Sequence, residues 1–165
     1  MTKNKGILPW MAAALCGILA ACETNDCPLN NVVYSTYGFY AVTEEGESQV
    51  RILDTLTVTA AGTDSVLVNR LVNGDGVELP VSYSAPTDTL VFQFTDTLRR
   101  KREDTIWISK ENVPHYESPE CPASMFHRVT SVRHTLRLID SVTIVNPNID
   151  YNVSENFKIY FRHNG

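Results

Sequence analysis

The positions of the four cysteines restrict the chemistry that each of them can perform. Two of the four cysteines, Cys16 and Cys22, lie within or directly after an apolar N-terminal stretch, whereas Cys27 and Cys121 lie farther along, each followed by proline. If the chain is exported from the reducing cytosol, the latter two thiols are expected to pair in a disulfide. A shared metal ion or a free nucleophilic thiol is the alternative chemistry for the same residues.

The first 22 residues combine a basic head with a short apolar segment. Two lysines precede the apolar stretch at 7–21, which is shorter than the roughly 20 residues of a membrane-spanning helix. This order predicts a signal peptide over residues 1–21. The ending Leu19-Ala20-Ala21-Cys22 resembles the lipobox of bacterial lipoproteins, which implies cleavage before Cys22 and acylation of its sulfur. We therefore expect Cys22 to begin the mature chain as a lipidated residue, followed by a polar tether over residues 22–31.

A proline-rich segment over residues 113–122 carries the polar residues that come nearest to a metal site. It places His115 two residues before Glu117, and His127 follows soon after. Imidazole and carboxylate groups bind zinc and similar ions, so these three residues are the candidates for a site that would support metal-dependent hydrolysis. Their spacing matches no established ligand pattern, and a rigid loop stapled to the N-terminus is the favoured interpretation. We expect this segment to form no regular strand and to hold no cofactor.

A run of four cations, Arg99, Arg100, Lys101 and Arg102, lies between two predicted strands. At a hairpin tip these side chains would contact phosphate groups of a membrane surface or of lipopolysaccharide. A charged tip that protects a sheet edge is the favoured interpretation.

The composition is that of one folded domain with an acidic surface. The chain has 165 residues, 43% of them hydrophobic, and a net charge of −5, which becomes more negative when the two N-terminal lysines are removed. This charge argues against nucleic acid as a partner. We expect residues 32–165 to form a single β domain.

Apolar and polar residues alternate through most of the chain from residue 32 onward, most clearly at 56–60, 77–83, 90–94 and 157–161. This period of two predicts antiparallel strands with one face in the core and one in water. Pro80 cannot donate a ladder hydrogen bond, which predicts a sheet edge or a bulge. Asp-Thr or Asp-Ser before an aliphatic residue is interpreted as a turn at a strand start. The pattern begins at Asp54, Asp64, Asp88, Asp96, Asp104 and Asp140.

Within residues 128–145, alternate residues from 132 to 144 are mostly apolar, and this stretch is longer than a usual strand. We expect two strands here, or one strand that bends at residues 139–141, with His134 as a hydrogen-bonded core residue. About eight strands and no apolar helical stripe together predict an all-β, antiparallel β-sandwich, with a small β-barrel as the alternative.

Three segments together resemble a family of uncharacterised Bacteroidota-type lipoproteins. They are the early Cys27-Pro28, the Pro-His-x-Glu-Ser-x-x-Cys-Pro element at 114–122 and the Glu-Asn-x-Lys-Ile-Tyr-Phe element at 155–161. The resemblance covers nearly all of the mature chain and implies a lipid-anchored envelope protein. It implies no activity, since none is established for that family.

Sequence motifs of common enzyme classes are not found in the chain. It contains no Gly-x-Ser-x-Gly, no phosphate-binding loop and no dinucleotide fingerprint. We therefore expect a lipoprotein of the bacterial cell envelope, anchored in the outer membrane on its periplasmic or its surface side, that acts in binding or assembly rather than as an enzyme. Its partner would be another envelope protein, or a glycan that stacks on exposed tyrosines or on Trp107.

Overall fold

The computed structural model describes Cys27, residues 31–63 and residues 65–162. The signal peptide, Cys22 and most of the expected tether lie outside these residues. The described part of the chain forms eleven β-strands and no helix. In chain order the strands are β1 (Tyr34–Val42), β2 (Ser48–Val50), β3 (Leu53–Ala60), β4 (Ser65–Gly74), β5 (Gly76–Pro80), β6 (Thr87–Thr95), β7 (Lys101–His115), β8 (Ser124–His134), β9 (Ile139–Ile144), β10 (Asn148–Ile149) and β11 (Glu155–Phe161).

The strands form two sheets that pack face to face. One sheet has the order β2-β1-β11-β9, with β5 also paired to β1, and the other has the order β10-β8-β7-β6-β3-β4. The predicted all-β sandwich is confirmed, with eleven strands rather than about eight, because β2 and β10 are too short to show an alternation in the sequence. One pair departs from the antiparallel prediction. β1 and β11 lie parallel, since both begin at the same end of the sandwich.

The core lies between the sheets and is built from alternate residues, as the period of two predicts. Tyr37 of β1 stacks on Phe157 of β11 at 4.8 Å between ring centres, and its edge meets Phe92 of β6 at 5.9 Å. The contact with Phe92 joins the two sheets, because β1 and β11 lie in one sheet and β6 in the other. β5 pairs only with β1 and ends at Pro80, so the predicted sheet edge at this proline is confirmed.

The long single-parity stretch at 128–145 changes sheet midway. β8 ends at His134 in the six-stranded sheet, and β9 begins at Ile139 in the five-stranded sheet. The prediction of two strands is confirmed, although the break lies at residues 135–138, just before the expected bend. His134 is half-buried, and its Nδ1 lies 2.8 Å from the carbonyl oxygen of Thr135.

The aspartates of the repeated Asp-Thr or Asp-Ser pattern do not share one role. Three of them are the second residues of β3, β6 and β9, close to the predicted strand starts. Asp96 closes the turn after β6, where its carboxylate accepts a hydrogen bond from the backbone N–H of Arg100 at 2.8 Å. Asp104 lies inside β7, so the strand-start prediction is wrong there. Asp64 lies outside the described residues.

The Asp104 carboxylate holds the segment at which the chain changes sheet. Its side chain is buried at 1% exposure. Oδ1 accepts hydrogen bonds from Thr135 Oγ1 at 2.5 Å and from the Arg137 N–H at 2.9 Å. Oδ2 accepts from the N–H groups of Leu138 at 2.7 Å and Ile139 at 3.0 Å. Four donors offset the cost of burying the carboxylate, so this side chain fixes the path from β8 to β9.

Replacing Asp104 by Asn should destabilise the domain. The amide has the same size, but one acceptor oxygen becomes an N–H₂ group that faces hydrogen-bond donors. Two unsatisfied donors at roughly 1–3 kcal/mol each would lower the free energy of unfolding by about 2–6 kcal/mol. Urea denaturation measures this change.

The matched control for this prediction is Asp140→Asn. The Asp140 carboxylate is exposed and lies 3.8 Å from the Arg162 guanidinium, so its loss should change the free energy of unfolding by less than ~1 kcal/mol. Equal effects of the two substitutions would contradict the role of Asp104.

Candidate functional site

The sandwich has two ends with different chemistry. The turn at 96–100 joins β6 to β7 at one end, which we call the hairpin end. The loop at 116–123 joins β7 to β8 at the other end, which we call the disulfide end. β7 runs between them over 15 residues, so the two ends lie about 50 Å apart at ~3.3 Å per residue.

The disulfide end holds the described residue nearest the N-terminus. The sulfur atoms of Cys27 and Cys121 lie 2.11 Å apart, with their Cα atoms 5.4 Å apart. The two thiols that the sequence pairs are therefore brought to disulfide distance. The bond fixes Cys27 against the loop that follows β7.

The three candidate metal ligands do not come together. His115 Nε2 lies 3.4 Å from Glu117 Oε1, and the His115 ring stacks on Phe126 at 4.4 Å. His127 is the next residue of β8, so its side chain points to the opposite face, where it is buried and its Nδ1 lies 2.9 Å from Asn112 Oδ1. Among the described residues, no group of three His, Cys, Asp or Glu is arranged to hold a metal ion.

Part of the proline-rich segment is a strand, contrary to the prediction. β7 extends through Pro114 to His115, and Pro114 lies opposite Met125 of β8. β6 pairs with β7 only as far as Ser109, so β8 is the only strand that pairs with the last six residues of β7 in the described part of the chain. Proline is tolerated there because the missing N–H lies on the unpaired side.

A buried lysine ties the loop after β5 to the sheet beneath it. Lys110 Nζ donates to the carbonyl oxygen of Ser82 at 3.1 Å and to the carbonyl oxygen of Ala85. Asp88 Oδ2 lies 3.6 Å from the same nitrogen, and the Lys110 side chain is fully buried. Burial lowers the pKa of Lys110, while the Asp88 charge opposes that shift. These contacts give the network a structural role.

The hairpin end carries a cleft of about 220 Å³ between the two sheets. Its floor is apolar and comes from both sheets and from the connection between β8 and β9. Its rim carries three arginines. The floor consists of Leu53, Phe94, Leu138 and Phe161, and the rim arginines are Arg51, Arg100 and Arg102.

Two of the rim arginines are already engaged. The guanidinium carbon of Arg51 lies 5.1 Å from the centre of the Phe161 ring, and Arg51 Nη1 donates to the Arg162 carbonyl at 3.1 Å. Burial lowers the pKa of the Arg51 guanidinium, and nearby Asp54 opposes this shift. Arg100 Nε lies 2.6 Å from Asp96 Oδ2. The hydrogen bond from the Arg100 N–H contributes most to lowering the pKa of Asp96.

Arg102 differs from the other two rim arginines. No carboxylate of the described residues forms a salt bridge with it. It lies opposite Phe94 in the β6–β7 pairing, directly beside the apolar floor. Asp54 and Asp96 also line the cleft, so its three arginines exceed its two carboxylates by one positive charge, which lies next to aromatic surface. This arrangement suits an anionic group carried on an apolar body, because a guanidinium pairs with carboxylate, sulfonate or phosphate.

Asp104 also positions one wall of the cleft. Its hydrogen bond to the Leu138 N–H holds this floor residue in place, and the Leu138 carbonyl accepts a bond from the Arg162 N–H at 3.1 Å. Sequence spacing points to the cation run at 99–102 but not to Arg51 or to the floor. These residues come from four separate segments, so no local motif marks them.

Comparison with known proteins identifies the family. A family model matches residues 55–161, more than half of the chain. The chain belongs to DUF6452, a family of unknown function. No curated protein and no solved structure matches it. The DUF6452 region includes Arg102, Asp104 and Cys121, whereas Arg51 and Cys27 precede it. Within the residues that the structure describes, no helix is long and apolar enough to cross a membrane.

The cleft of this DUF6452 protein should bind 8-anilinonaphthalene-1-sulfonate, which carries a sulfonate on aromatic rings. We expect Arg102→Gln to weaken this binding about tenfold, since a charge-assisted hydrogen bond contributes about 1.5 kcal/mol or more. Fluorescence titration measures the affinity. The control is Arg128→Gln, which removes an exposed arginine of β8 near the disulfide end. Equal affinities of the two variants would argue against the cleft as the binding site.

Acid should weaken the fold through His127. Burial, and to a smaller extent the Lys110 charge, lowers the pKa of His127 from 6.5 to about 4. The unfolded chain therefore takes up the proton first as the pH falls. The contribution of neutral His127 to stability is complete above pH 6.5 and is lost towards pH 4.

Urea unfolding of the wild type and of His127→Gln across this pH range measures the effect. The free energy of unfolding of the wild type should fall more steeply with acidification than that of the variant. Parallel curves would show that His127 does not carry this dependence.

Proposed function

We propose that this chain is a lipid-anchored protein of the bacterial cell envelope, held in the outer membrane, whose folded domain binds a partner rather than catalysing a reaction. The lipid anchor is inferred from the N-terminal sequence, in which a basic head, a short apolar stretch and Leu19-Ala20-Ala21-Cys22 follow one another. The likeness to Bacteroidota-type lipoproteins in the two Cys-Pro elements supports the same location.

The observation that carries the binding function is the uncompensated Arg102 beside an apolar floor. A ligand with an anionic group and an apolar body would gain a charge-assisted hydrogen bond from the Arg102 guanidinium, and its body would lie on the exposed edges of Leu53 and Phe94. An acidic residue next to an aromatic residue in another envelope protein has this chemistry. The proposed activity is therefore recognition of such a segment in a partner protein.

The position of the cleft supports this proposal. The cleft lies at the hairpin end, about 50 Å from the disulfide that holds Cys27, given the length of β7. An anchor at Cys22 would keep the disulfide end near the membrane. The cleft would then face away from the anchoring membrane and be open to a partner.

A glycan ligand has less support. The guanidinium carbon of Arg133 lies 5.5 Å from the centre of the Trp107 ring, so a side chain already covers one face on which a sugar would stack. Metal-dependent hydrolysis is not proposed, because His127 and His115 lie on opposite faces of the sheet.

Substitution of Cys22 by Ala tests the anchor. Without the sulfur, the lipid cannot be attached, so the variant should move from the detergent phase to the aqueous phase on partitioning and should lack acyl mass. Cys16→Ala is the matched control, because this cysteine lies inside the signal peptide and its loss should leave lipidation intact. A Cys22→Ala protein that still carries acyl chains would refute the proposed anchor.

A further inference from the structure

Tyrosine side chains are distributed unevenly between the two ends of the sandwich. The chain has seven tyrosines, of which four are exposed. Tyr37 is buried, and Tyr40 and Tyr160 are half-buried. The exposed ones are Tyr34 at 46%, Tyr83 at 48%, Tyr116 at 63% and Tyr151 at 44%.

All four exposed tyrosines lie at the disulfide end. Tyr34 begins β1 opposite Pro80 of β5, just before the loop that contains Tyr83, and Tyr116 directly follows β7. The Tyr83 hydroxyl donates to the carbonyl oxygen of Ala123 at 2.9 Å, in the loop that contains Cys121.

The fourth, Tyr151, belongs to the same end through its ring contacts. Its ring packs edge-on against Phe126 at 4.9 Å, and its hydroxyl lies 2.5 Å from Ser124 Oγ, at the start of β8. Two exposed valines, Val113 and Val153, lie beside these tyrosines in sequence. The disulfide end therefore combines phenol rings with apolar surface.

The loops and strand ends that form the tip of this end carry no basic residue, whereas Arg128 of β8 lies four residues behind the start of that strand. Residues 31–35, 81–86, 113–123 and 150–154 contain no Lys and no Arg. The four cations of the run at 99–102 lie at the opposite end. Attraction to anionic lipid is therefore not what would hold the disulfide end at a membrane. Tyrosine is suited to the boundary between headgroups and acyl chains, because its ring is apolar and its hydroxyl is polar.

The tether limits how far this end can lie from a bilayer. The chain from Cys22 to Cys27 spans at most about 18 Å, at up to 3.6 Å per residue. Cys27 is held against Cys121 in the loop that joins β7 to β8 at this end. An acylated Cys22 in the membrane would bring these rings within reach of the headgroups.

We propose that the disulfide end rests on the lipid bilayer, with Tyr34, Tyr83, Tyr116 and Tyr151 in the interfacial layer. This inference rests on the proposed lipid anchor and adds a second contact with the same membrane. It orients the domain, so that the cationic run and the cleft project away from the bilayer.

The test uses the full lipidated protein in phosphatidylcholine vesicles whose acyl chains carry bromine close to the headgroup. The substitution Trp107→Phe removes the tryptophan of the mature chain, and Tyr116→Trp then places one at the disulfide end. Its fluorescence should fall in brominated vesicles, and its emission should lie at shorter wavelength than in detergent-free buffer. The control Leu98→Trp, at a 72% exposed position of the hairpin end, should be unaffected.

Each outcome separates the inference from the anchor on which it rests. Absence of quenching in Tyr116→Trp, with acyl chains present by intact mass, overturns the inference and leaves the anchor standing. Absence of acyl mass overturns both. Quenching that requires phosphatidylglycerol in the vesicles also overturns the inference, since the tyrosine-bearing segments contain no Lys or Arg to bind anionic lipid.

Discussion

The buried carboxylate of Asp104 is the contact on which the architecture depends. Four donors from residues 135–139 converge on it at the point where the chain leaves one sheet for the other. Without this anchor, the connection between β8 and β9 would expose its backbone groups to an apolar interior with no partner. The same carboxylate holds Leu138 in place, so Asp104 fixes both the passage of the chain between the sheets and one wall of the cleft.

The two ends of the sandwich are held by different means and offer different surfaces. At one end, Cys27 is bonded to Cys121 beside exposed phenol rings. At the other end, arginines surround an apolar floor. β7 links both ends in a single strand. This polarity is the physical basis for proposing that one end meets a membrane while the other meets a partner.

Alternation of side chains was sufficient to predict most of the strands and the sandwich, and the missing N–H of Pro80 predicted the sheet edge. Contacts between residues far apart in the sequence could not be predicted from this alternation. Asp96 and Asp104 both precede threonine and an aliphatic residue, yet one closes its own turn and the other binds donors about thirty residues away. The pairing of Cys27 with Cys121 was predictable because these two cysteines remain once Cys16 and Cys22 are assigned to the N-terminal segment. The three candidate metal ligands do not lie together, because successive residues of β8 point to opposite faces.

Neutron reflectometry of the protein, carrying its proposed lipid anchor, on a supported bilayer tests the proposal that the domain stands on its disulfide end. We expect a protein layer about 50 Å thick that begins at the headgroups, matching the length of β7. A layer roughly half as thick would contradict this orientation. Two sheets spaced ~10 Å apart, with side chains on both outer faces, form such a thin layer only when the sandwich lies on its side.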